Sequence, residues 1–426
     1  MSFWNSNFKN HILEPLYFDQ NRCEFRLPEN AVWSADLTLA NLGCIAAADN
    51  RQFPATSGFW ELIKNIYLYS DNIELAHLRN VSKYMGFKNM IQSNDDEYSL
   101  HSVDVGNKYG FTIQHYDKRM ALENATVYNN LKSASNNLEP KANLRLRDAL
   151  PFLTYMRFLD GRKLNRLRVV IEWKAASDVV LVGGGNITSI TRPNLVCNEV
   201  INEDLIKQLP DKFQVVYTNI DDESFNISAI AGNSERQSIN QRLRAFNKKY
   251  LARILLINDI SDQTNGIINY NTQMLGNHSM AFGGERINFR LNGRKLLADR
   301  GVDSPDCKLA MCTDTWGAYV LPPSSQTQLI GAPGNAIDDR YNREVYNGLD
   351  NNAYFQASYG GVEVNDNVQE LELEYERVSN SAAYDPANGN PQPGALNIDR
   401  CAFQMRVYGE CARMLDYSNG ELMIKG

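Results

Sequence analysis

The run Leu371-Glu372-Leu373-Glu374-Tyr375-Glu376 alternates apolar and acidic residues without a break. Successive side chains of an extended strand point to opposite faces, so this run buries one face and wets the other only as β-structure. On a helix the same residues would scatter apolar groups around the axis. The same rhythm, enriched in β-branched and aromatic residues, marks Ile63–Tyr69, Tyr109–His115, Leu167–Trp173, Val179–Val182, Phe213–Thr218, Ile287–Leu291 and Phe403–Tyr408. Turn sequences lie between them, among them Ser70-Asp71-Asn72, Asn292-Gly293, Asn388-Gly389-Asn390-Pro391 and Ser418-Asn419-Gly420. Asn and Gly tolerate the positive φ that tight hairpin turns require. Helical signals are few. Ser234–Lys249 is expected to form one helix, with Ser234 or Ser238 as N-cap and Ile239, Leu243 and Phe246 along one face. Short helical turns are expected within Leu75–Tyr84 and Leu144–Leu159. The fold class is all-β.

At 426 residues the chain is too long for one ordinary sandwich and suits two domains. An internal echo supports a tandem arrangement. Asn65-Ile66-Tyr67-Leu68, a turn and Leu75-Ala76 match Asn288-Phe289-Arg290-Leu291, a turn and Leu297-Ala298. Asn165–Glu172 matches Gln369–Glu376 in the same order along the chain. The polar stretch Asn198–Pro210 separates the two sets. The expected division is an N-terminal arm over residues 1–20, a first β-sandwich over 21–200 and a second over 201–426.

A net charge of −7 argues against specific nucleic-acid binding as the main role, because duplex binders carry a basic field that displaces counterions from phosphates. Basic residues do gather at Arg145, Arg147, Arg157, Arg162, Lys163, Arg166 and Arg168, as solvated strand edges and subunit contacts often require. The first residues, MSFWNSNFKNHILEPLYF, lack the positive and then apolar regions of a signal peptide. No apolar run reaches the roughly 18–20 residues that span a bilayer. Seven scattered cysteines do not read as a disulfide framework; buried thiols acting as small hydrophobes account for them.

A search for catalytic groups finds little. The five histidines, His11, His77, His101, His115 and His278, form no metal-binding pattern, and Cys307 and Cys312 have no second pair nearby. Gly183-Gly184-Gly185-Asn186 is followed by no helical pattern and reads as a hairpin loop rather than a phosphate cradle. The acidic groups Asp95-Asp96-Glu97, Asp221-Asp222-Glu223 and Asp338-Asp339 read as solvated loop tips. No catalytic residue, metal site or cofactor is expected.

The N-terminal segment is more informative. Phe3, Trp4, Phe8, Ile12, Leu13, Leu16, Tyr17 and Phe18 are apolar yet precede the first convincing strand. Such an arm must lie along its own subunit or reach a partner or a membrane surface. Trp4, Phe8, Leu16 and Tyr17 are the candidate assembly contacts.

The chain resembles the double jelly-roll major capsid proteins of polinton-like viruses, virophages and related icosahedral double-stranded DNA viruses. The resemblance is carried by Phe25-Arg26-Leu27-Pro28 with Ala35–Leu42, by Leu150-Pro151-Phe152-Leu153, Arg157-Phe158-Leu159 and Leu167–Trp173, and by Arg286–Ala298. The closing Ala402–Tyr408 and the hairpin around Asn419-Gly420 complete it. It implies two tandem jelly-roll β-sandwiches with few short helices. It also implies a homotrimer of pseudo-hexagonal outline that tiles an icosahedral shell and resides in the virion. The implied partners are further copies of the chain, penton proteins and minor capsid or cement proteins, with an internal membrane as a further candidate. Two other readings predict different things. A penton or minor capsid protein would carry one jelly roll with an insertion, and a carbohydrate-binding or glycan-cleaving sandwich would pair exposed aromatics with carboxylates.

Overall fold

The computed structural model describes residues 7–46, 57–92, 141–179, 186–230, 235–259, 286–297, 301–302, 315, 358–378 and 402–425. The expected strand Tyr109–His115, most of Val179–Val182, the loop Gly183–Gly185 and the acidic groups at 95–97 and 338–339 lie outside these residues.

Two sheets are built from the first half. In the larger, the central element is a long extended run made of β11 (Ile187–Thr191) and β12 (Asn194–Val200). Arg192 and Pro193 interrupt it without changing its register against β5 (Thr38–Ala46): Thr191 lies opposite Gly43 and Asn194 opposite Ala40. On its other side, β1 (Phe8–Leu13) pairs with β12 from Phe8 opposite Val200 to Leu13 opposite Leu195. β4 (Val32–Ser34) leads into β5, and β8 (Ala142–Arg145) and β9 (Phe158–Asp160) pair with β5 and β4. The smaller sheet runs β2 (Tyr17–Phe18), β3 (Arg22–Arg26), β10 (Leu167–Trp173), β6 (Ile63–Ser70) and β7 (Ile73–Arg79).

The second half repeats this plan. One sheet runs β13 (Phe213–Ile227), β20 (Phe403–Ser418), β15 (Tyr250–Asp259) and β18 (Ser358–Asn367), with β21 (Glu421–Lys425) folded back on β20. The other runs β14 (Arg236–Arg242), β19 (Leu371–Val378), β16 (Arg286–Leu291) and β17 (Arg294–Lys295). Strand for strand, β1, β12, β5 and β8 correspond to β13, β20, β15 and β18. In the same way β3, β10, β6 and β7 correspond to β14, β19, β16 and β17. The strands without a counterpart are β2, β4, β9 and β11 in the first half and β21 in the second.

Alternation decides which faces are buried. Leu371, Leu373 and Tyr375 of β19 are buried, and the intervening Glu372, Glu374 and Glu376 are only partly exposed. Those glutamates meet arginines of the neighbouring strands, with Arg290 to Glu374 at 2.6 Å, Arg242 to Glu372 at 3.1 Å and Arg236 to Glu376 at 2.8 Å. Opposite charges facing each other across strands add modestly to sheet stability. The hairpin turns use the residues expected: Asp71, Asn292 and Asn419 all have positive φ, and Gly293 and Gly420 follow with φ of 83° and 81°.

One helical expectation is overturned and a second is narrowed to Val81–Tyr84. Ser234–Lys249 is not a helix: Arg236–Arg242 is β14, followed by a 3₁₀ turn at Arg244–Phe246. Pairing with β19 outweighs a weak helical signal, and Ile239 and Leu243 still face the core because their spacing of four is also even. Leu75–Arg79 is strand, and the helix α1 (Val81–Gln92) begins only after it. The short helices α2 (Leu146–Ala149) and α3 (Phe152–Tyr155) fall within Leu144–Leu159, as expected.

The stretch between the two sets of sheets contains a short helix, α4 (Glu203–Lys207), capped by the Asn202 side chain, which accepts from the amides of Asp204 and Leu205. Each half has a hydrophobic core, and the first extends into the second half through Tyr217, Ile220, Leu255, Ile257, Tyr408 and Leu415.

Candidate functional site

The contact between the halves is built on β13 and β20, which pair from Phe213 opposite Tyr417 to Ile227 opposite Phe403. Their odd-numbered residues share one face. At one end Val215, Tyr217 and Leu415 pack into the first core. At the other Phe225, Ile227, Phe403 and Met405 pack into the second. Between them, where one core gives way to the other, this face carries Asn219, Asp221 and Arg413.

These residues form a buried polar cluster with β7. Asp221 receives Arg413 Nη2 at 2.8 Å through one carboxylate oxygen and Lys249 Nζ at 2.8 Å through the other. Asn219 Nδ2 donates to Asp221 at 3.1 Å, and the Asn219 oxygen accepts the backbone amide of His77 at 3.1 Å. The His77 ring lies between two acids: Nδ1 is 2.6 Å from Glu74, and Nε2 is 3.3 Å from Asp221. Burial by itself would raise the Asp221 carboxyl, but Arg413, Lys249 and His77 outweigh it and hold it below the usual carboxylate range. His77 lowers the Glu74 carboxyl in the same way. Around the cluster, Tyr217 Oη donates to the Leu75 carbonyl at 2.6 Å, and burial pushes its pKa up to about 12. Tyr408 Oη donates to the Asn80 carbonyl at 3.2 Å, and Asn80 Nδ2 to Asp222 at 3.3 Å.

The triplet Asp221-Asp222-Glu223 is therefore no solvated loop tip. It lies in mid-strand, with Asp221 buried and Glu223 accepting the Ala245 amide at 2.9 Å. Sequence offered no route to this, because the cations that neutralise Asp221 come from Lys249 and from Arg413, far along the chain. The basic stretch around Arg162 is engaged locally: Arg162 grips Asp160 with two nitrogens, at 2.8 and 2.7 Å, and Arg168 reaches Glu24 at 3.4 Å. Arg147 pairs with Asp36 at 2.8 Å. Among the described residues no three His, Cys, Asp or Glu side chains converge as a metal site.

The N-terminal candidates fall in different places. Trp4 lies outside the described residues. Phe8 is half-buried in β1, so from this point the expected arm is built into a sheet. Leu16 and Tyr17 are 68% and 50% exposed, and Ile12 is 67% exposed. His11 anchors this strand through Glu199 at 2.7 Å and an edge contact with Trp33.

Among solved structures, the PBCV-1 capsid protein VP54, fitted into a reconstruction of the virophage Sputnik, matches with a TM-score of 0.54. The identity is 12%, over 99% of this chain and 97% of that one. The PBCV-1 capsid matches with a TM-score of 0.55 at 11% identity, over 99% and 97% of the two chains. This chain has the double jelly-roll fold. The Sputnik virophage structure agrees, with a TM-score of 0.50 at 11% identity over 99% of this chain and 88% of that chain. No family model and no curated protein matches the sequence. In a double jelly roll the two sandwiches supply similar surfaces side by side, and here the buried cluster joins them.

Proposed function

We propose that this chain is a structural major capsid protein, three copies of which close into a pseudo-hexagonal capsomer that tiles an icosahedral shell. The observation that carries this is the repetition of one eight-strand order in both halves. Three copies of such a chain present six similar wedges around an axis, and a ring of heterologous contacts stops growing once it closes. The junction supports the same reading, since a buried ion-paired cluster between the sandwiches favours one rigid unit over two tethered domains. The division falls in the stretch around α4, between β12 and β13. The role is structural rather than enzymatic. Its partners are its own copies, penton and minor or cement proteins, and a membrane beneath the shell is a further candidate. The product belongs to the virion and is assembled inside the host cell. A doubled sandwich favours this over a penton or minor protein with a single jelly roll. Size-exclusion chromatography with light scattering tests it: a species of three times the chain mass is expected. A stable monomer or a fivefold ring would count against it.

A further inference from the structure

The two sandwiches differ at one edge, and the difference points outward. In the first half, the Leu27 amide donates to the Leu167 carbonyl at 3.0 Å, just past the end of β3. In the second, the Leu243 amide donates to the Leu371 carbonyl at 2.8 Å, just past the end of β14. Leu27 therefore corresponds to Leu243, and Arg22, Cys23, Glu24 and Arg26 correspond to Ser238, Ile239, Asn240 and Arg242. Main-chain polar groups alternate sides along a strand. The odd-numbered residues of both strands thus bond inward to β10 or β19, and the even-numbered ones point away from the sheet.

In the first half those outward groups are used. The Glu24 carbonyl accepts the Leu16 amide at 2.8 Å, and the Arg22 carbonyl accepts the Asp19 amide at 2.9 Å. β2 lies along β3 there, with Tyr17 opposite Glu24 and Phe18 opposite Cys23. Cys23 beneath is fully buried. In the second half no described strand covers β14. The Arg242 carbonyl is capped by its neighbour's side chain, Gln241 Nε2, at 3.0 Å. The outward main-chain groups of Ser238 and Asn240 have no partner among the described residues. Ile239, the counterpart of Cys23, is only partly buried against the second core.

β14 also lacks the devices that protect natural edges. It pairs with β19 over seven residues without a register shift, contains no proline, and has uncharged residues from Gln237 to Gln241. Its two arginines are engaged by Glu376 and Glu372 of β19 and by Glu370 just before it.

We infer that the edge of β14, which no described strand covers, accepts an extended segment of a second copy of this chain, pairing with Ser238 and Asn240 as β2 pairs with β3. An apolar residue of that segment would cover Ile239, as Phe18 covers Cys23. This rests on the capsid reading, which places copies side by side, and it names one contact surface of that assembly.

Hydrogen exchange on assembled particles and on dissociated full-length subunits tests it directly. The amides of Ser238 and Asn240 should exchange quickly in the subunit and at least tenfold more slowly in the assembly. The variant Asn240→Pro removes one outward donor while leaving the bonds to β19 intact. It should keep the melting temperature of the subunit within a few degrees and lose most assembly. Two results overturn the inference alone: assemblies in which these amides stay fast, or Asn240→Pro assembling as wild type. Protection already present in the isolated subunit also overturns it, since the chain's own residues then cover the edge. A protein that stays monomeric under every condition sinks the capsid reading along with it.

Discussion

Phe246 rests against Gly409 so closely that a Cβ on Gly409 would lie 2.4 Å from its Cε1 and 2.7 Å from its Cδ1. Leu251 Cδ1 closes the same space at 2.8 Å. Gly409 lies in mid-β20, opposite Asp221 and Ile254, so the strand cannot retreat without disturbing two others. Overpacking of a closed core site costs typically 1–3 kcal/mol. Gly409→Ala should lower stability by about that much in urea denaturation. Combining it with Phe246→Leu should recover part of the loss, because the ring is what the methyl meets. Equal destabilisation by Gly409→Ala with and without Phe246→Leu would refute the assignment.

Asp221 holds both Arg413 and Lys249 in the junction, one on each carboxylate oxygen. Asp221→Asn keeps the shape of the side chain but leaves Arg413 and Lys249 facing each other without a buried anion. Breaking a buried pair by removing one partner costs roughly 3–5 kcal/mol. An exposed pair such as Lys207–Glu203, at 3.3 Å, is worth about 0–1 kcal/mol. Chemical denaturation of Asp221→Asn and Glu203→Gln should therefore differ by several-fold in ΔΔG. Comparable values would mean that water penetrates the cluster.

The same cluster sets a pH dependence. Glu74 and Asp221 both have their folded pKa lowered, so the unfolded chain binds protons more readily than the folded one. Their contribution is fully present above the unfolded carboxylate value of about 4 and is lost as pH falls through the lower folded values. Thermal melts should thus hold steady from pH 7 to about 5 as far as these two groups are concerned and drop steeply below about 4. The drop should be shallower in Asp221→Asn. An unchanged acid limb in that variant would remove the cluster from the explanation.

Much of the fold was legible because side-chain alternation survives small alignment errors. The echo between Asn165–Glu172 and Gln369–Glu376 matches the structure: Leu167 lies opposite Ser70 and Leu371 opposite Leu291. The hairpin echo is two residues out of register with the fold. It sets Leu68 against Leu291, whereas the positive-φ turn residues Asp71 and Asn292 make Ser70 the counterpart of Leu291. A slip of two leaves every side chain on its proper face, so sequence alone could not expose it. The junction was hidden for a different reason. Aspartate is depleted in strands, and the groups that let Asp221 sit in one are brought in by tertiary pairing.

The N-terminal segment yields the last prediction, because its exposed apolar residues and its paired strand make different demands. Deleting residues 1–6 should leave the folded subunit intact, since β1 begins at Phe8. Deleting residues 1–13 removes a strand paired along its whole length with β12, together with the His11–Glu199 contact and the Leu13 packing. β12 would then become an edge, and Val200 and Leu195 would lose their neighbours. That loss should appear as a melting temperature lower by many degrees, or as insoluble protein, whatever the state of assembly. Substituting Leu16 and Tyr17 with Ser should behave otherwise, because both are at least half exposed. The subunit should melt within a few degrees of wild type, and any defect should appear only in assembly yield. If instead the short deletion destabilises the subunit as severely as the long one, residues before β1 belong to the core of the first sandwich. The candidate contacts would then have to be sought elsewhere, beginning with the β14 edge that no described strand covers.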